Sequence, residues 1–198
     1  LKRINSYILR DKNSKKYKIL VAPPHTLLKL FSDYFKGKKI IIGSQNCYHK
    51  DLYSSNTGSL SPFMLKKAGA FFTLVGHSDN RQEGESNSII KDKVLFSQKN
   101  NLNVIFCIGE NKLQKKRGLT FKVLKKQIHQ SLTPKLKVNK IIIAYEPIWS
   151  IGTGKIPKKE DLEKTIKKIK DILKKFFKSK ISPKVLYGGS VDGETIKI

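Results

Sequence analysis

Ile141-Ile142-Ile143-Ala144-Tyr145-Glu146-Pro147-Ile148-Trp149-Ser150-Ile151-Gly152-Thr153-Gly154-Lys155 is the stretch from which the fold is read. Its first four residues make a near-continuous apolar run, the pattern of a strand covered on both faces in a parallel sheet flanked by helices. A carboxylate, Glu146, follows at the strand's C-terminal end, and Pro147 behind it fixes the exit direction of the chain. Gly152 and Gly154 flank Thr153 in the loop that comes next, small residues that let a segment swing closed and exclude water. Tyr145, Pro147 and Trp149 give Glu146 an apolar neighbourhood, which raises a carboxyl pKa and strengthens the conjugate base. An isolated Glu is usually a surface carboxylate. In this setting Glu146 is a candidate catalytic base.

The same kind of run recurs along the chain. Ile19-Leu20-Val21-Ala22, Lys39-Ile40-Ile41-Ile42-Gly43, Phe71-Phe72-Thr73-Leu74-Val75, Val104-Ile105-Phe106-Cys107 and Val185-Leu186-Tyr187 are the other strand candidates. Amphipathic stretches lie between them. Leu27, Leu28, Leu30 and Phe31 form one apolar stripe; Leu162, Ile166, Ile169, Ile172 and Leu173 form another, with Lys and Glu facing out. Ile4 and Ile8 mark a further helix near the start, and Pro62 is placed for a first helical turn. Repeated βα units put the chain in the α/β class, either as an open doubly wound sheet or as a closed (β/α)8 barrel. Polar residues with functional character follow several different strands: Asn46, His77, Glu110, Glu146 and Ser190. An open sheet gathers its site at one switch point, whereas a barrel gathers every strand end around one mouth. The barrel is the expected fold, as one domain over residues 1–198, and no GxGxxG follows the first strand to suggest a dinucleotide site.

Composition bounds the function classes. The formal charge is +26 over 198 residues, which by itself suggests nucleic acid or an anionic membrane surface. Only four of the 41 cationic residues are Arg, at 3, 10, 81 and 117. Nucleic-acid readers lean on the Arg fork, and these lysines are spread along the chain, so they read as solvated faces with the codon bias of an AT-rich genome. Cys47 and Cys107 have neither CxxC nor Cys/His spacing, so no zinc site, other metal site or disulfide framework is indicated, and a reduced cytoplasmic compartment is expected. No apolar run approaches the roughly 18 residues of a membrane span.

Two further motifs carry chemistry. His77 follows Gly76 and precedes Ser78-Asp79, residues suited to starting a helix. An imidazole in a first helical turn is disfavoured as a cation and can polarise a carbonyl as a neutral donor; a structural capping histidine is the other reading. His25, His49 and His129 have no such setting and read as structural or surface groups. Tyr187-Gly188-Gly189-Ser190-Val191 ends the last strand in a turn that lets backbone N–H groups converge on an anion. With Gly152 in the lid, a phosphorylated substrate is expected.

Taken with Val21-Ala22-Pro23-Pro24, Gln45-Asn46-Cys47-Tyr48, Thr57-Gly58-Ser59-Leu60-Ser61-Pro62, Gly84-Glu85-Ser86 and Cys107-Ile108-Gly109-Glu110, these blocks resemble the triosephosphate isomerase family, in family order and over essentially the whole chain. The resemblance implies the TIM-barrel fold and the interconversion of dihydroxyacetone phosphate and glyceraldehyde 3-phosphate through an enediolate, as in glycolysis and gluconeogenesis. It makes Glu146 the proton carrier and His77 the neutral electrophile. Gly152 and Ser190 would bind the phosphate through backbone N–H groups, and no cofactor is implied. It also implies a homodimer, with the loop 48–59 docking into a second subunit and Thr57 near its mouth, and neither a membrane nor a specific nucleic-acid partner.

The chain also departs from the family pattern. The family opens with a strand bearing an asparagine and a lysine and closes with an eighth strand bearing paired glycines, so first and last strands are expected beyond Leu1 and Ile198. An inactive barrel relic that persists as a cationic binding protein is the competing reading. Where the family has His-Ser-Glu-Arg-Arg, this chain has His77-Ser78-Asp79-Asn80-Arg81. Asp79 keeps a supporting carboxylate on a shorter stem. Asn80 and Ser59 replace a cation and an anion that pair across the family's interface, so both partners are lost together and neither charge is left unpaired.

Overall fold

The computed structural model describes residues 1–51, 56–154, 156–191 and 193. Six strands run in chain order: β1 (Ile19–Val21), β2 (Ile40–Ile42), β3 (Phe72–Val75), β4 (Asn103–Ile108), β5 (Ile141–Tyr145) and β6 (Lys184–Tyr187). The helices are α1 (Lys2–Arg10), α2 (Leu28–Phe35), α3 (Pro62–Lys67), α4 (Ser78–Gln82), α5 (Asn87–Lys99), α6 (Lys112–Lys116), α7 (Thr120–Ser131) and α8 (Lys159–Phe177). Every strand pairing is parallel, β1 with β2 and then β3-β4-β5-β6. A parallel bridge from Ser44 to Thr73 joins the two groups. The described strands are thus successive staves of a (β/α)8 barrel.

The core explains why the strands read as continuous apolar runs. Along β4, Val104, Phe106 and Ile108 pack outward against the helices, while Ile105 and Cys107 point into the barrel. In β5, Ile141, Ile143 and Tyr145 join the outer cluster, and Ile142 and Ala144 the inner one. A period of two with both faces covered leaves few polar positions, Thr73 in β3 being one.

Each expected strand is present to within a residue or two. The long helix α8 buries Thr165, Ile169, Leu173 and Phe177, and of the expected stripe Leu162, Ile169, Ile172 and Leu173 all lie in or against the core. Ser61 caps α3 by accepting from the Met64 N–H at 3.2 Å, with Pro62 in its first turn as expected. The α2 stripe needs correction. Leu28 and Phe35 are buried, with Phe31 packed against the core, but Leu30 is 63% exposed and Leu27 lies in the short 3-10 turn before the helix. Helical spacing selects 28, 31 and 35, and the expected run counted adjacent residues that point elsewhere.

The ladder continues past the strand ends. The Glu146 N–H donates to Ile108 O at 2.8 Å, the Ile148 N–H to Glu110 O at 3.1 Å, and the Gly188 N–H to Tyr145 O at 2.8 Å. Glu146 is therefore fixed by its backbone between the neighbouring staves. Its carbonyl occupies the space a Cβ on Gly109 would need, and its Cγ would lie 2.8 Å from a Cβ on Gly188. Both glycines are required by close approach. Gly109→Ala is expected to destabilise the fold by about 1–3 kcal/mol through overpacking. Urea unfolding measures this, and an unchanged midpoint and slope would contradict it.

Candidate active site at the strand ends

Glu146 is only 5% exposed. Burial is the main reason its pKa is raised; a hydrogen bond with the Cys107 thiol, the Ser78 N–H and the Arg81 charge pull the other way. The Ser78 N–H, first in α4, approaches carboxylate Oε2 at 3.4 Å. The shift agrees with the sequence reading, but the expected cause needs correction. The Tyr145 hydroxyl and the Trp149 indole N–H are turned away, onto Glu110, at 3.2 Å and 3.0 Å. The dry surroundings come instead from the strand ends and from Cys107, which points inward at the end of the adjacent stave. Cys107's own pKa is driven well up by burial and by the Glu146 charge beside it.

His77 is the N-cap of α4 and not part of its first turn: its Nδ1 accepts from the Asp79 N–H at 3.3 Å. An accepting Nδ1 carries no proton, so the neutral ring presents Nε2–H, 3.7 Å from Glu146 Oε1. The Asp79 carboxylate lies 3.4 Å from the same Nδ1, a contact that would need a protonated ring. Its side chain is 79% exposed, so the backbone donor, aimed at the nitrogen, sets the tautomer. Glu146 and His77 come from different strand ends, β5 and β3, and face each other.

Arg81 was not singled out by the sequence reading, yet its fork does much to hold this end together. Nε donates to Gly76 O at 2.7 Å, and the two terminal nitrogens to Asn87 Oδ1 at 2.8 Å and Cys107 O at 3.2 Å. Its rarity was the available signal: where lysine fills almost every cationic position, an arginine marks a place that needs several donors in one plane.

On the far side, the lid and the Ser190 turn touch. The Gly152 N–H donates to Ser190 Oγ at 3.2 Å, and that hydroxyl donates to Ser150 O at 3.0 Å. The two residues expected to bind one phosphate are thus brought together, with the Gly152 N–H bonded to the Ser190 hydroxyl. Glu110 is fully buried and anchors the lid's first residues through Trp149.

Of the other sequence readings, Thr57 is exposed in a turn of the loop 48–59, of which residues 52–55 lie outside the described residues, as does Lys155 at the end of the lid motif. His25 is structural in its bond to Asn46 O at 3.1 Å. It also lines a cavity of about 350 Å³ with Gln45, Asn46, Leu74, His77, Asp79 and Asn80. Larger cavities of about 480 Å³ between α7 and α8 and about 400 Å³ at the opposite end of the strands lie away from Glu146 and His77. Chemistry, not size, selects the His77 mouth.

The chain matches the sequence model of the triosephosphate isomerase family over residues 1–198. It is 36% identical over 179 residues to triosephosphate isomerase of Bradyrhizobium diazoefficiens, covering 87% of this chain and 69% of that protein. The enzyme of Leptospira interrogans is 37% identical over 202 residues, covering 97% and 80%. The crystal structure of triosephosphate isomerase from Bartonella henselae superposes with a TM-score of 0.80 at 34% identity, over 88% of this chain and 71% of that one. The chain belongs to the triosephosphate isomerase family.

Proposed function

We propose that this protein interconverts dihydroxyacetone phosphate and D-glyceraldehyde 3-phosphate through an enediolate, with Glu146 as the base. The observation that carries the assignment is the buried Glu146 carboxylate facing Nε2 of neutral His77 at 3.7 Å. Glu146 removes a proton from the carbon beside the substrate carbonyl. His77 donates Nε2–H to the carbonyl oxygen as negative charge develops there. Glu146 then returns the proton to the neighbouring carbon while a proton passes from the substrate's hydroxyl oxygen to its former carbonyl oxygen through Nε2 of His77, so the two oxygens exchange roles and bonds and charge balance with no external reagent. Burial suits this role because a raised carboxyl pKa gives a stronger base. Gly152 and Ser190 bind the phosphate, with the Gly152 N–H exchanging its Ser190 partner for a phosphate oxygen, and the closed lid keeps water from the enediolate. Asp79 holds its exposed carboxylate at the rim of the site.

The protein acts in the cytoplasm as a homodimer, with the Thr57 turn reaching into the second subunit. The exposed placement of Thr57 and the cavity at the loop's base, lined by residues such as Tyr48, Gly58 and Leu60, support that reading. No helix among the described residues is long and apolar enough to cross a membrane. Sedimentation equilibrium at micromolar concentration is expected to give twice the chain mass, and a monomer there would retract the dimer.

Glu146→Gln is expected to lower kcat by roughly 10²–10⁴-fold with the fold intact, and His77→Gln by roughly 10²–10³-fold. The acidic limb of the kcat/KM profile is expected above pH 4.5, the usual glutamate value, because burial raises the Glu146 pKa and only its ionised form accepts a proton. Near-normal turnover in either folded variant, or a limb below 4.5, would overturn the corresponding role.

A further inference from the structure

Four side chains close a ring of hydrogen bonds behind the helix that His77 caps. Lys93, on α5, and Glu85 form an ion pair in which each side chain is only 7% exposed. The same ammonium donates to Asn46 Oδ1 at 2.8 Å, an oxygen that also accepts from the Cys47 N–H at 2.8 Å. Asn46 Nδ2 then donates to Asn80 Oδ1 at 3.0 Å. The amide cannot be reversed, since its NH₂ group would then face two donors. The Glu85 N–H donates to Asn80 O at 3.0 Å and completes the ring.

Asn80 lies on α4, three residues after His77. That helix has five residues, too few to hold its own orientation, so outside ties determine where it points. Arg81 ties it to the ends of β3 and β4. On its other side, Asn80 ties it to the buried pair. The Glu85 Oε2 atom is buried without a hydrogen-bond partner among the described residues. A buried ion pair with one oxygen unsatisfied adds little net stability. What it supplies is geometry.

We infer that Lys93 and Glu85 are positioning residues for the isomerisation, acting through Asn46 and Asn80 to orient α4 and hence the Nε2–H of His77. This rests on the role given to His77 above. Two variants of the whole chain test it. Lys93→Met combined with Glu85→Gln removes both charges together and leaves neither unpaired. Asn80→Ala cuts the last link and leaves the buried pair whole.

The readouts are kcat and KM for dihydroxyacetone phosphate and the ring ¹H–¹⁵N correlation of His77. Each folded variant is expected to lose about 5–50-fold in kcat, short of the roughly 10²-fold that a full ångström of misplacement can cost. KM is expected to stay within about twofold, and the His77 ring signal is expected to shift. A kcat within about twofold of the parent overturns the inference, as does a kcat loss with an unmoved His77 signal. If the double variant does not fold, Asn80→Ala decides alone. Near-normal turnover in His77→Gln would retract the reading of His77 itself, whereas a severe His77→Gln defect beside a normal Asn80→Ala variant retracts only the ring.

Discussion

Glu146 is held by its main chain before its side chain does anything. Its N–H is bonded to Ile108, its carbonyl fills the space beside Gly109, and Gly188 closes on its Cγ. These contacts leave the carboxylate buried between β4, β5 and β6, where water cannot solvate its charge. Folding therefore works against ionisation of this one group, and the raised pKa is the record of that conflict. A carboxylate so placed is a better base than a solvated one, and its geometry belongs to the sheet and not to a mobile loop.

The remaining parts of the site are arranged around that fixed point. His77 faces Glu146 across 3.7 Å, and capping α4 through Nδ1 leaves Nε2 as the ring's donor on that side. Because α4 is short, its direction depends on Arg81 and on the Asn46–Asn80 link. The lid starts immediately after Glu146, so its first residues are anchored to the same stave: Trp149 on Glu110, and Ser150 on the Ser190 hydroxyl. Glu146, His77 and the loop that carries Gly152 therefore share one rigid end of the sheet. That is what a barrel offers: residues distant in sequence meet wherever parallel strands end.

Much of this was legible in the residues. The strands were, because a barrel stave has two covered faces and reads as an apolar run. Glu146, His77, Gly152 and Ser190 were visible as motifs at strand ends, and the structure brings them to one mouth. The causes were less legible. Tyr145 and Trp149 looked like the walls that desolvate Glu146, but Tyr145 points away by strand alternation, Trp149 turns back from the loop beyond β5, and both serve Glu110 instead. Cys107 opened one of the quoted blocks, but nothing in that block pointed to Glu146, and their contact arises only from the register of β4 on β5. Lys93 was one lysine among many, and nothing local separates a buried lysine from a solvated one. Pairings across tens of residues, such as Asn46 with Lys93, are set by topology.

The desolvation of Glu146 can be measured without any substrate. A carboxyl whose pKa is raised by folding is protonated in both states at low pH and imposes no cost there. As pH rises from 4.5, the usual glutamate value, through the raised native value, the folded protein must ionise a buried group and loses stability relative to a chain without it. The measurement is the unfolding free energy of the parent and of Glu146→Gln as a function of pH. The expected result is that Glu146→Gln is the more stable at neutral pH and that its advantage closes as pH falls toward 4.5. Equal or lower stability of Glu146→Gln at neutral pH would show that the carboxylate is not held against its own solvation.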